Sequence, residues 1–140
     1  MASPSASTVD WEQLRAAARE MTKRSYAPYS NVHVGAAAIT NSGEIVTGCN
    51  VENASTGIGI CAEVSLGAQL VATDSGDRLV AIAVVAGDGE TISPCGRCRQ
   101  FLYEFGGEDL LIDWYGKTRT LGELLPDAFG PDDVIGRADV

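Results

Sequence analysis

The chain has 140 residues, 45% of them hydrophobic and 21% charged, which fits one compact domain with a single core and no need of disulfide support. Nineteen acids against ten Lys and Arg leave a formal net charge of −9, the opposite of the basic footprint that gripping nucleic acid requires. The longest apolar stretches, 64–72 and 79–86, are too short to cross a bilayer, which argues against a membrane-embedded protein.

Residues 1–9 are Ser- and Ala-rich and lack both a basic n-region and an apolar h-region. They are expected to form a disordered tail rather than a signal peptide, and the expected compartment is the cytoplasm, where thiols stay reduced. From Asp10 the pattern turns helical. Leu14, Ala17, Ala18 and Met21 make one apolar stripe, with Asp10 as N-cap and Gln13 placed for a capping box. Pro28 ends that region. Residues 32–39 and 44–49 predict two strands joined through Asn41-Ser42-Gly43, a hairpin. An Asn- and Gly-containing loop, 50–60, precedes a buried helix over 62–73. The continuous apolar run 79–86 predicts a central strand covered on both faces. A helix follows Pro94 and runs to Phe105, closed by Gly106-Gly107. A short strand over 109–113 and a short helix over 121–125, stopped by Pro126, complete the domain. Residues 10–130 are thus expected to form a single domain and 131–140 a loose acidic tail. Antiparallel strands followed by alternating helix and strand imply an α/β fold, a mixed sheet with helices packed on it.

Four cysteines stand at 49, 61, 95 and 98. The Cys95-x-x-Cys98 pair alone admits a redox dithiol, half of a structural zinc site, or coincidence. A closed structural site would need a fourth protein ligand, from Cys49 or His33, the single histidine. Cys61 changes the balance, because it lies where a loop meets a helix, two residues before Glu63. Three thiolates with the fourth position left to water is the open arrangement of catalytic zinc. Cys61, Glu63, Pro94, Cys95 and Cys98 match, in order, the nucleobase-deaminase signature, in which the glutamate handles protons and is not a ligand. Three thiolates on Zn²⁺ leave a formal −1. Two helix N-termini would offset it, and Arg97 and Arg99 lie in the same turn, within reach of donating to a thiolate.

These segments resemble the small, homotetrameric, three-cysteine branch of the cytidine deaminases, over about residues 11–129. The likeness includes Tyr26-Ala27-Pro28-Tyr29-Ser30, Val34-Gly35-Ala36-Ala37, Gly48-Cys49-Asn50-Val51-Glu52-Asn53, Cys61-Ala62-Glu63, Pro94-Cys95-Gly96-Arg97-Cys98-Arg99-Gln100 and Leu124-Leu125-Pro126-Asp127-Ala128-Phe129. The resemblance implies a three-layer α-β-α sandwich around a five-stranded mixed sheet. It also implies one Zn²⁺ per chain on Cys61, Cys95 and Cys98, and hydrolysis of cytidine and deoxycytidine to the uracil nucleosides plus ammonia, as in pyrimidine salvage. Glu63 would take a proton from the attacking water, pass it to ring N3, and later protonate the departing ammonia. Asn50 and Glu52 would bind the ribose 3′-hydroxyl; on residue type alone they are loop-capping groups. The Ala62 N–H would hold the base carbonyl, and the Ser93 carbonyl would accept from the amino group. Phe129 would stack on a base in a neighbouring subunit's site, so that neighbours complete the active sites of a homotetramer; on residue type alone it is a core aromatic.

Three positions depart from the family. Val32 stands where an aromatic usually packs on the pyrimidine, Thr56 where a Tyr is usual, and Val64 where some members carry a charge-compensating Arg. The expected partner is therefore a small nucleoside, with no nucleic acid and no membrane. A deaminase of a modified cytosine nucleoside such as blasticidin S is the alternative that Val32 and Thr56 leave open. A non-catalytic zinc protein and a redox dithiol are the readings from other classes.

Overall fold

A computed structural model describes residues 8–137. Helix α1 (Trp11–Thr22) starts where Asp10 accepts the Gln13 N–H at 3.1 Å, half of the expected capping box. It leads to strands β1 (Val34–Thr40) and β2 (Ile45–Cys49), then helix α2 (Ala62–Ala72) and strand β3 (Leu79–Ala86). Helix α3 (Gly96–Gly106) follows, capped by Gly107 at φ 69, and then strand β4 (Leu111–Trp114). Strand β5 (Lys117–Thr120) and the single-turn helix α4 (Leu121–Leu124) close the domain. One five-stranded sheet runs in the order β2-β1-β3-β4-β5; the β3–β4 pair is parallel and every other pair antiparallel. This is the expected mixed α/β sheet.

The sheet is buried on both faces, which is why β1 and β3 carry no polar alternation. On β1, Ala37 joins Leu14 and Ala18 of α1 on one face, while Ala36 and Ala38 join Leu66, Leu70 and Leu102 on the other. On β3, Ala81, Ala83 and Val85 face α1, and Ile82 and Val84 face the opposite layer.

Two glycines let helices touch strands. A Cβ on Gly35 would lie 1.9 Å from the Ala18 carbonyl oxygen, and one on Gly48 only 2.4 Å from the Leu66 nitrogen. A third, Gly67, would strike the Phe101 ring at 2.3 Å, so α2 and α3 cross at that point. The first layer is tied to the sheet by an ion pair as well. Arg15 on α1 grips Asp113 on β4 with two hydrogen bonds of 2.8 Å, and the Asp113 side chain is 1% exposed.

The differences from expectation are local. Strand β5 has no hydrophobic pattern, only Lys-Thr-Arg-Thr; it exists because Tyr115 (φ 34) and Gly116 (φ 86) make a two-residue hairpin turn after β4. Short 3-10 turns form at Thr56–Ile58 and Pro131–Asp133. Of the two expected tails, residues 1–7 and 138–140 lie outside the described residues. Among the described residues no helix is long and apolar enough to cross a membrane.

Candidate active site

Cys61 and Cys95 are the N-cap residues of α2 and α3, both with extended backbone (ψ 162 and 166). The Cys95 sulfur accepts the Cys98 N–H of its own helix, and Cys98 joins the pair from the first turn of α3. The reason is geometric: Gly48 and Gly67 allow α2 to lie against β2 and against Phe101 of α3, so the two helix starts converge. All three sulfurs lie within 4.8 Å of one another. Sulfurs sharing a tetrahedral zinc at bond lengths of about 2.3 Å stand roughly 3.8 Å apart, so a small contraction would accommodate the ion. The three-thiol set, with two helix N-termini aimed at it, fits zinc.

The chemistry around the sulfurs is uneven. Burial pushes the Cys61 thiol up, with the Cys98 hydrogen bond pulling the other way. Cys98, fully buried, is raised far above the ordinary thiol range, again by burial first. At Cys95 burial also raises the thiol, but the Cys98 N–H (3.4 Å to Sγ) and the two neighbouring thiols outweigh it, and the net direction is down. Glu63, on the first turn of α2 and 3% exposed, has its carboxyl raised by burial, partly offset by its own N–H and by Cys98.

These groups line one wall of a cavity of about 290 Å³. Ala62 lines it too, and its N–H belongs to the first-turn donors that have no intrahelical acceptor. Asn50, Glu52, Thr56, Gly59 and Ser93 line the same cavity. Val34, Ile60, Val84 and Ile92 supply the apolar walls. The sequence gives none of these four a site role. The one signal is at Val84, toward the carboxyl end of β3, the side on which open α/β sheets place ligands.

The side chains of Asn50 and Glu52 are held by the segment between α1 and β1. Asn50 Nδ2 donates to the Val32 carbonyl and its Oδ1 accepts the Val34 N–H, both at 2.8 Å, as well as the Ser25 hydroxyl. Glu52 Oε1 accepts the Tyr29 and Ser30 N–H groups at 3.0 and 3.1 Å, and Oε2 accepts the Ser30 hydroxyl. The Ser30 hydroxyl bond and these two N–H bonds hold the Glu52 carboxyl below its ordinary range, against a smaller upward push from burial.

Four expected site residues, Val32, Phe129, Arg97 and Arg99, lie elsewhere or bond elsewhere. Val32 is 51% exposed and outside the cavity; its carbonyl accepts from Asn50 and its N–H donates to the Ser30 hydroxyl, which bonds Glu52. Phe129 is 60% exposed, also outside, with its carbonyl held by Gln100 Nε2 at 2.8 Å. The expected Arg-to-thiolate hydrogen bonds are not made. Arg97 is solvent-exposed, and Arg99 spends its guanidinium on Pro94 O, Leu124 O and Ser93 Oγ, each at 3.0 Å. The physical reason is that loop carbonyls around Ser93-Pro94 need donors and a planar fork supplies three. Arg99 also sits over the Trp114 ring at 5.8 Å. Tyr115, which sequence reasoning passed over, accepts the Ser93 N–H on its hydroxyl at 2.9 Å. Ser93 is thus held through its N–H and through its hydroxyl.

Comparison with known proteins agrees with this geometry. Residues 9–113 match the family model described as the cytidine and deoxycytidylate deaminase zinc-binding region. The chain is 52% identical over 126 residues to a cytidine deaminase of Mycobacterium tuberculosis, covering 90% of this chain and 94% of that protein. It is 38% identical to a cytidine deaminase of Halalkalibacterium halodurans, covering 90% and 98%. Among solved structures, a crystal structure of the M. tuberculosis cytidine deaminase superposes with a TM-score of 0.84, covering 87% of this chain and 98% of that one. One from Burkholderia pseudomallei, 43% identical, superposes with a TM-score of 0.72, covering 86% and 100%.

Proposed function

The chain belongs to the zinc-binding cytidine and deoxycytidylate deaminases, and on that premise we propose that it is a cytidine deaminase. It hydrolyses cytidine and deoxycytidine to uridine and deoxyuridine with release of ammonia. The observation that carries this reading is a single buried carboxylate, Glu63, on the same cavity wall as three converging thiols.

Cys61, Cys95 and Cys98 would hold one zinc, which when bound supplies the Lewis acidity that makes water a competent nucleophile near neutral pH. Glu63 accepts a proton from the attacking water and delivers it to ring N3, then shuttles the second to the leaving amine. A C4–O bond forms and the C4–N bond breaks; water's two protons finish on N3 and on ammonia. Burial of Glu63 keeps those protons from exchanging with solvent between steps. The Ala62 N–H takes the base carbonyl and the Ser93 carbonyl the amino group, with Val34, Val84 and Ile92 packing on the pyrimidine. Asn50 and Glu52 take the ribose 3′-hydroxyl.

Phe129 is presented on a backbone pinned by Gln100, among other exposed apolar groups such as Tyr29, Val32 and Ile58. That pattern supports a homotetramer in which Phe129 enters a neighbour's site. Sedimentation of a tetramer, with Phe129→Ala lowering kcat/KM while the tetramer persists, is the expected result. A cytoplasmic role in pyrimidine salvage completes the reading. Blasticidin S is not favoured, since the relatives are named for cytidine. Following ultraviolet loss on cytidine, deoxycytidine and blasticidin S side by side tests the assignment. Consumption of blasticidin S without cytidine turnover would overturn it.

A further inference from the structure

We propose that Ser25 and His33 are positioning residues for the substrate's sugar, acting through Asn50; the inference rests on the reading of Asn50 as a sugar contact. Two backbone groups fix which end of the Asn50 amide is which. The Val34 N–H can only donate, so it faces Oδ1, and the Val32 carbonyl can only accept, so it faces Nδ2. The Ser25 hydroxyl also donates to Oδ1. A hydroxyl has one hydrogen, and here it is spent, so any further partner of the Ser25 oxygen must donate to it. That partner is His33 Nδ1, at 3.1 Å. The ring therefore carries a proton on Nδ1, and a one-way chain runs from the His33 Nδ1–H through Ser25 to Asn50 Oδ1.

The chain sets the polarity of the sugar site. Both lone pairs of Oδ1 are occupied, so Asn50 has only its second Nδ2 hydrogen to offer a ligand. Glu52 has only acceptor capacity, and most of that is taken by Tyr29 and Ser30. A sugar hydroxyl thus accepts from Asn50 and donates to Glu52. Rotating the Asn50 amide by half a turn would present two acceptors to one hydroxyl. The Ser25–His33 pair opposes that rotation, while the pairing of Tyr26 with residues 50 and 52 holds Ser25 in place (Tyr26 N–H to Asn50 O at 3.1 Å, Glu52 N–H to Tyr26 O at 2.8 Å).

His33 is the single histidine of the sequence, so its ring nitrogens can be read without ambiguity in ¹⁵N-labelled, zinc-loaded protein. Two-bond ¹H–¹⁵N correlation is expected to show the neutral ring protonated on Nδ1, and Ser25→Ala to release it to the Nε2–H form. Kinetics form the second arm. Ser25→Ala should raise KM for cytidine roughly tenfold with a smaller change in kcat, as expected for one lost hydrogen bond at a binding group. It should leave KM for 2′,3′-dideoxycytidine, which lacks the hydroxyl, unchanged, and Ser25→Thr should restore the cytidine value. An Nε2–H ring in the unaltered protein would overturn the proposal, as would an equal KM rise for both substrates. Should Ser25→Ala fail to fold, the tautomer of the unaltered protein still decides. Unaltered protein that turns over neither nucleoside would instead overturn the deaminase reading, while the tautomer would still report on the hydrogen-bond chain.

Discussion

Among the described residues the cavity lining holds two carboxylates, and Glu52 is bonded to Tyr29 and Ser30, so Glu63 has no understudy for the proton transfers. Glu63→Gln keeps the volume and removes the base; kcat is expected to fall about a thousandfold or more, since more than one transfer step is lost. Metal analysis should show zinc retained, because Glu63 is not among the three converging ligands. Glu52 carries a pH signature of the opposite sense. Its carboxyl is held below the ordinary value, so the bonds to Tyr29 and Ser30 are fully present above about pH 4.3 and are lost as pH falls through the lower, folded-state value. The amide resonances of Tyr29 and Ser30 should therefore titrate together, with a midpoint below about 4.3. At this scale the metal residues were legible because metal ligation and proton transfer restrict residue type and spacing together. Ser25, His33 and Tyr115 were not, because each acquires its role from a partner far along the chain. Proximity in sequence suggests Arg99 as a thiolate donor, yet its hydrogen bonds go to oxygens of Ser93, Pro94 and Leu124.

Among the elements, α2 is placed by what its neighbours lack. Gly48→Ala would set a methyl 2.4 Å from the Leu66 backbone, which can yield only by moving the helix that carries Cys61 and Glu63. A loss of about 1–3 kcal/mol in denaturant unfolding is expected, together with weaker zinc retention on dialysis. Gly43→Ala, in the β1–β2 turn with open space around it, should leave zinc retention unchanged. The clasp between α1 and β4 is a second handle. Arg15→Ala leaves the buried Asp113 carboxylate with the long Thr91 hydroxyl bond of 3.4 Å, and should cost about 2–4 kcal/mol, read by the same unfolding. Arg15 is itself 29% exposed, which keeps the loss below that of a fully buried pair. Helix and strand positions were largely legible because apolar periodicity reports burial directly. Strand β5 was hidden because Lys117–Thr120 has three of its four positions only half-buried and owes its pairing to the Tyr115-Gly116 turn, not to a hydrophobic face.

For the molecule as a whole, the metal centre and the core are separate assets. Among the described residues, two apolar clusters, one on each face of the sheet, include none of the three thiols. Chelation is therefore expected to abolish activity and lower the melting temperature while leaving a cooperative transition and an unchanged far-ultraviolet spectrum, unlike small zinc modules that unfold outright. Readding zinc should restore both. Layer order was legible from the unbroken apolar runs of β1 and β3, but the close approach of the layers was not, since it depends on Gly35, Gly48 and Gly67 meeting particular atoms. The alanines of β1 have a consequence for how such a chain can drift. Ala36 and Ala38 touch one layer and Ala37 the other, all at 0% exposure, so a bulkier residue on either side asks for a matching reduction in a different helix. Inheritance through this strand should then proceed by paired changes, and a saturation library should find its seven residues among the least forgiving in the protein.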